Sequence, residues 1–140
     1  MIMTIPSDAP TRVLILEDEP ELALALEDAL EKQGFEVVGP AHSCEAALEL
    51  LWTGGADVAI LDILIGEGTC EVVANELRLS GIPWAFASDF EAHELHDRFP
   101  DRPLIKKRSQ SDAIAGVIRA LLTTPSEGPG DDGPPEERIR

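Results

Sequence analysis

The sequence predicts an α/β protein with a five-stranded parallel sheet and helices on both faces. Three observations carry this. Short apolar runs of strand length recur five times along the chain. Stretches with helical spacing or helix-start signals separate them. The strand-like runs are apolar nearly throughout rather than alternating, which marks strands covered on both sides.

The elements follow in order. VLIL (Val13–Leu16) is the first strand. Residues 20–33, PELALALEDALEKQ, carry leucines at 22, 26 and 30, the i, i+4 spacing of one helix face. Pro20 suits the first helical turn and Gly34 the position just past the end. FEVVGPA (Phe35–Ala41) reads as strand two. Ser43 is the expected N-cap of a helix through about Trp52, stopped by Gly54-Gly55. DVAILD (Asp57–Asp62) is a buried strand ending on an acid. A helix is expected over about Cys70–Leu79, and IPWAFA (Ile82–Ala87) is strand four. Residues 90–99 form the weakest helix signal. PLIK (Pro103–Lys106) is strand five, and DAIAGVIRALL (Asp112–Leu122) is the last helix, with Ser111 as its expected cap.

Right-handed crossovers put the C-terminal ends of all parallel strands on one edge, where open sheets of this kind bind ligands. Glu17 and Asp18 follow strand one, Asp62 ends strand three, Ser88 follows strand four, and Lys107 or Lys106 ends strand five. Three carboxylates held together repel unless a cation offsets them. An all-oxygen set suits a hard divalent cation such as Mg²⁺. The hydroxyl and the ammonium add partners for a phosphate. Glu19 and Glu21 are read only as helix-start acids.

Composition narrows the function classes. The chain has 140 residues, room for one domain, and a net charge of −16 from 27 acids and 11 Lys and Arg. So acidic a chain, with Lys106-Lys107-Arg108 as its one basic run, is not expected to bind nucleic acid. No window approaches the ~20 apolar residues of a membrane span, and residues 1–10 lack the pattern of a signal peptide. A cytoplasmic protein with no membrane partner is expected, with Cys44 and Cys70 as reduced, semi-buried thiols. Residues 1–11 and the acidic, Pro/Gly-rich residues 123–140 read as disordered ends around a domain at 12–122. His93 and His96 stand three apart on the weak helix, where a solvated face is the simpler reading than a metal site; His42 carries no signal of its own.

From about Arg12 to Leu122 the sequence resembles the receiver domain of two-component response regulators. The resemblance rests on the ED pair in VLILEDE, the aspartate in DVAILDILIGEG, the GIPWAFAS segment and the lysine in RPLIKKR, four modest motifs in the right order. It implies a CheY-like, flavodoxin-like (βα)5 fold with strand order 2-1-3-4-5. It also implies that Asp62 accepts a phosphoryl group from a sensor histidine kinase or phosphotransfer protein. Asp18 then resembles a direct Mg²⁺ ligand beside Asp62, with Glu17 nearby and the Leu64 backbone carbonyl completing the set. Ser88 and Lys107 match the family's phosphoryl-binding hydroxyl and phosphate-pairing lysine. The implied output is a phosphorylation-dependent contact with a downstream protein, and the domain is expected to stand alone.

Two departures from the family stand out. Arg108 follows Lys107 where the family usually has proline. Leu104 stands where the family often has a switching aromatic. FASDF (residues 86–90) resembles the FATG-aromatic segment of a receiver subgroup, which gives Phe90 a switch role. Leu64 and Phe90, two residues beyond Asp62 and Ser88, match positions that flank the attacking water, and two apolar side chains there predict slow self-dephosphorylation. The alternatives are a degenerate receiver that docks partners without phosphorylation, an aspartyl-phosphate phosphohydrolase, and a flavin-binding module. The hydrolase reading wants an acid where Leu64 stands, and the flavin reading wants a phosphate loop where EDEPE stands.

Overall fold

The computed structural model describes residues 9–89 and 94–123. The expectations for most of the two ends, for Phe90 and for His93 lie outside the described residues. Five parallel strands form one sheet: β1 (Arg12–Leu16), β2 (Glu36–Ala41), β3 (Val58–Asp62), β4 (Trp84–Ser88) and β5 (Leu104–Lys106). Their spatial order is β2-β1-β3-β4-β5, as expected, so β1 and β3 lie side by side at the switch in strand order. The helices are α1 (Pro20–Lys32), α2 (Cys44–Thr53), α3 (Glu71–Ser80), α4 (Glu94–Arg98) and α5 (Ser111–Thr123).

The sheet separates two apolar cores. Leu14, Leu16, Ala59, Leu61, Trp84 and Phe86 face α2, α3 and α4, while Val13, Ile15, Val58, Ile60 and Ala85 face α1 and α5. Side chains alternate across a strand, so burial on both faces demands an unbroken apolar run. Trp84, Phe86 and Phe99 pack edge-on or tilted with ring centroids 5.4–6.0 Å apart.

Four strands start later than the expected runs, at Glu36, Val58, Trp84 and Leu104, and in β2 and β4 a helix end contributes. Gly34 (φ +91°) and Gly81 (φ +74°) end α1 and α3 in the left-handed region. In each case the next residue turns its N–H back to the helix: Phe35 donates to the Leu30 carbonyl and Ile82 to that of Leu77. These amides close the helix and are withdrawn from the sheet, so β2 starts at Glu36 and β4 at Trp84. Pro20 occupies the first turn of α1, and the Ser43 hydroxyl accepts from the Ala46 N–H at 3.1 Å. Ser111 is not the cap of α5 but its first residue. A two-residue antiparallel pair, Leu64–Ile65 with Gly68–Thr69, follows β3 and gave no signal in the sequence.

Candidate functional site at the C-terminal edge of the sheet

The ends of β1, β3, β4 and β5 bring the expected residues together. Asp62 is the last residue of β3 and Ser88 the last of β4, and both are buried. Glu17 follows β1 and is 3% exposed, whereas Asp18 is exposed. Lys107 follows β5, its N–H donating to the Ser88 carbonyl at 3.2 Å. The two lysines are thereby distinguished. Lys107 directs Nζ into the site, while Lys106, one residue earlier, is exposed.

Lys107 Nζ donates to Asp62 Oδ2 at 2.8 Å and lies 3.3 Å from Glu17 Oε1. One ammonium therefore faces two buried carboxylates. Burial pushes the Asp62 carboxyl up to about 7, with Glu17 adding repulsion and Lys107 opposing both. Burial alone would lower the Lys107 ammonium, but the hydrogen bond and the charges of Asp62 and Glu17 outweigh it and the group is raised.

Backbone groups orient the remaining acids. The Glu19 N–H donates to Glu17 Oε2 at 3.1 Å, and the Gly66 N–H donates to Asp18 Oδ2 at 2.8 Å. Gly66 has φ +60°, a conformation glycine adopts without strain. The His42 ring Nδ1 lies 2.9 Å from the Glu17 carbonyl and, since a carbonyl only accepts, carries the proton. Neither Gly66 nor His42 was legible as a support, because both act across long sequence separations. His96 also differs from expectation. Rather than facing solvent, it is half-buried, donates to the Arg102 carbonyl at 2.8 Å and packs against Phe86.

One oxygen from each of Glu17, Asp18 and Asp62 can lie within 4.8 Å of the others. Three carboxylates here face the single ammonium of Lys107. An all-carboxylate set with surplus negative charge fits Mg²⁺. Leu64 lies in the short antiparallel pair with its side chain half exposed, and Leu104 pairs in register with Phe86, two residues before Ser88 on β4. The turn after Lys107 is held without proline: the Ser109 hydroxyl and N–H both donate to the Lys106 carbonyl, at 2.7 and 3.1 Å.

Solved structures with this architecture decide the fold. A CheY-like receiver domain from Methanospirillum hungatei superposes with a TM-score of 0.71 at 18% identity, over 81% of this chain and 94% of that one. The response regulator TrrA from Thermotoga maritima, solved in complex with Mg²⁺-BeF, gives 0.70 at 23% identity, over 80% and 99%. The chain has the fold of CheY-like receiver domains. Sequence relatives agree with that reading. The chain is 31% identical over 125 residues to the transcriptional regulatory protein PdtaR of Mycobacterium tuberculosis, covering 84% of this chain and 61% of PdtaR. It is 29% identical over 122 residues to the phyllosphere-induced regulator PhyR of Methylorubrum extorquens, covering 84% and 46%. The chain thus spans about half to three-fifths of the length of these relatives. No family model matches it. Among the described residues of the receiver domain, no helix is long and apolar enough to cross a membrane.

Proposed function

We propose that this receiver domain accepts a phosphoryl group on Asp62, in a Mg²⁺-dependent reaction, from a histidine kinase or phosphotransfer protein. Its output is a phosphorylation-dependent contact with a downstream protein. The carrying observation is the buried Lys107–Asp62 contact of 2.8 Å, set beside Glu17 at the switch in strand order.

Asp62 Oδ attacks phosphorus, the bond from phosphorus to the donor's nitrogen or oxygen breaks, and the leaving group departs with that electron pair and takes up a proton. Glu17, Asp18 and Asp62 are the residues that would hold Mg²⁺, which when bound supplies positive charge to phosphoryl oxygens. Lys107 stabilises charge on the same oxygens and exchanges part of its contact with Asp62 for them. Ser88, at the buried end of β4, offers a hydroxyl to the new phosphate. That contact draws on the end of β4 and couples the charge change to the neighbouring surface. Asp62 must be ionised to attack; burial opposes that, and a bound cation would favour the ionised form.

The receiver fold and the half-exposed Leu64 side chain, where a hydrolase of this chemistry would carry a second acid, favour a phosphoacceptor over a hydrolase. We place the protein in the cytoplasm, where kinase donors of this type act. The test is intact-protein mass after incubation with Mg²⁺ and acetyl phosphate, with Asp62→Asn as control. A gain of one phosphoryl group, absent in the variant and after chelation, is expected. No gain in the wild type would favour the docking module.

A further inference from the structure

Ser88 and Lys107 lie at the ends of neighbouring strands, and each is followed by a charged residue, the two of opposite sign. Asp89 follows Ser88 and Arg108 follows Lys107. The Arg108 guanidinium donates to Asp89 Oδ1 at 3.4 Å. One residue closer to the sheet, the Lys107 N–H donates to the Ser88 carbonyl, and Ser88 pairs with Lys106 in the β4–β5 register. Two successive cross-strand links therefore join the ends of β4 and β5, the backbone pairing and, outside it, the ion pair. The turn that carries Arg108 is tied back by Ser109 on the Lys106 carbonyl, which fixes the backbone from which Arg108 reaches across.

We infer that Arg108 and Asp89 are positioning residues. Their ion pair clamps Asp89, just after β4, to Arg108, just after Lys107, and so holds the Ser88 hydroxyl and the Lys107 ammonium at a fixed separation over Asp62. Neither touches the reacting atoms; each acts through the residue before it. The inference rests on Asp62 being the phosphoacceptor. Both side chains are more than half exposed, so the clamp is modest and weakens with salt.

The test is a double-mutant cycle of Arg108→Gln and Asp89→Asn, read by the rate of Asp62 phosphorylation at saturating and sub-saturating acetyl phosphate. Each single change is expected to lower the maximal rate about two- to fivefold, leaving the half-saturating donor concentration unchanged. The double variant should be no slower than either single one, and high salt should bring the wild type down to the variants. Arg108→Lys should restore part of the rate. A rise in half-saturation for Arg108→Gln with a faster Asp89→Asn overturns the clamp, because Arg108 would then be docking the donor. Additive effects, or no effect, overturn it as well. If the wild type takes up no phosphoryl group, the phosphoacceptor reading falls, and hydrogen exchange at the Lys107 amide tests the clamp by itself. Exchange should quicken equally in both single variants and no further in the double; unchanged exchange overturns the inference.

Discussion

Lys107 Nζ sits 2.8 Å from Asp62 Oδ2, joining the end of β5 to the end of β3 across the intervening β4. The same nitrogen is 3.3 Å from Glu17 at the end of β1. Three strand ends thus meet through one ammonium. The Lys107 side chain is only 12% exposed, so water screens this contact little.

Lys107→Met should leave two buried carboxylates without their cation. Breaking a buried pair from one side costs about 3–5 kcal/mol. The loss should be largest above neutral pH, where Asp62 is ionised, and part of it should return on acidification. Urea unfolding at pH 8 and pH 5 checks this. Equal losses at the two values would count against the charge account. The rate of Asp62 phosphorylation should fall about tenfold or more, because one charge on the phosphoryl oxygens is gone.

Asp62→Asn should remove a pH-dependent penalty. The folded-state carboxyl titrates near 7, above its ordinary 3.8. A raised acid favours the folded state fully below about pH 4, and that stability drains away as the pH rises through about 7. The metal-free wild type should therefore lose stability over this window relative to Asp62→Asn. The difference should be on the order of 2–4 kcal/mol, since each tenfold change in proton affinity is worth about 1.4 kcal/mol. Saturating Mg²⁺ should shrink it, since the cation replaces the missing charge and binds only the folded site. Thermal melts across pH 4–8, with and without Mg²⁺, measure both effects. A pH-independent difference would reject the penalty.

Leu64→Asn addresses the lifetime of the phosphorylated state. Leu64 is half exposed in the short pair just after Asp62, an apolar side chain where an amide could orient an attacking water. One such hydrogen bond is worth about 1.4 kcal/mol, or roughly tenfold in rate. The variant should lose its phosphoryl group about that much faster, followed by mass spectrometry after donor removal. An unchanged half-life would sink the lifetime role of Leu64.

Phe86→Ala probes the core beneath the site. Phe86 is fully buried between Trp84, Phe99 and His96. Its truncation should cost about 3–5 kcal/mol. Leu24, on the outer face of α1 and 64% exposed, should cost under about 0.5 kcal/mol when changed to Ala. Urea midpoints of the two variants test the contrast; similar losses would contradict the burial assigned to Phe86.

The sequence by itself determined the alternation of strands and helices, because burial on both faces requires the unbroken apolar runs at Val13, Val58 and Trp84. It also determined which residue types collect at the C-terminal edge of the sheet, since parallel crossovers leave little choice of edge for Glu17, Asp18, Asp62 and Ser88. The strand pattern left Lys106 and Lys107 both open and the family resemblance pointed to Lys107; the tertiary structure supplies the physical reason, strand alternation and the point at which β5 ends. Only the tertiary structure decided the late starts of β2 and β4, where a helix end and a strand compete for one N–H and the left-handed glycine awards it to the helix. The same holds for Gly66 on Asp18, His42 on Glu17 and Arg108 on Asp89. Those contacts join residues 19 to 48 positions apart, and chain-local patterns carry no record of a hydrogen bond that forms only after the sheet has brought its strand ends together.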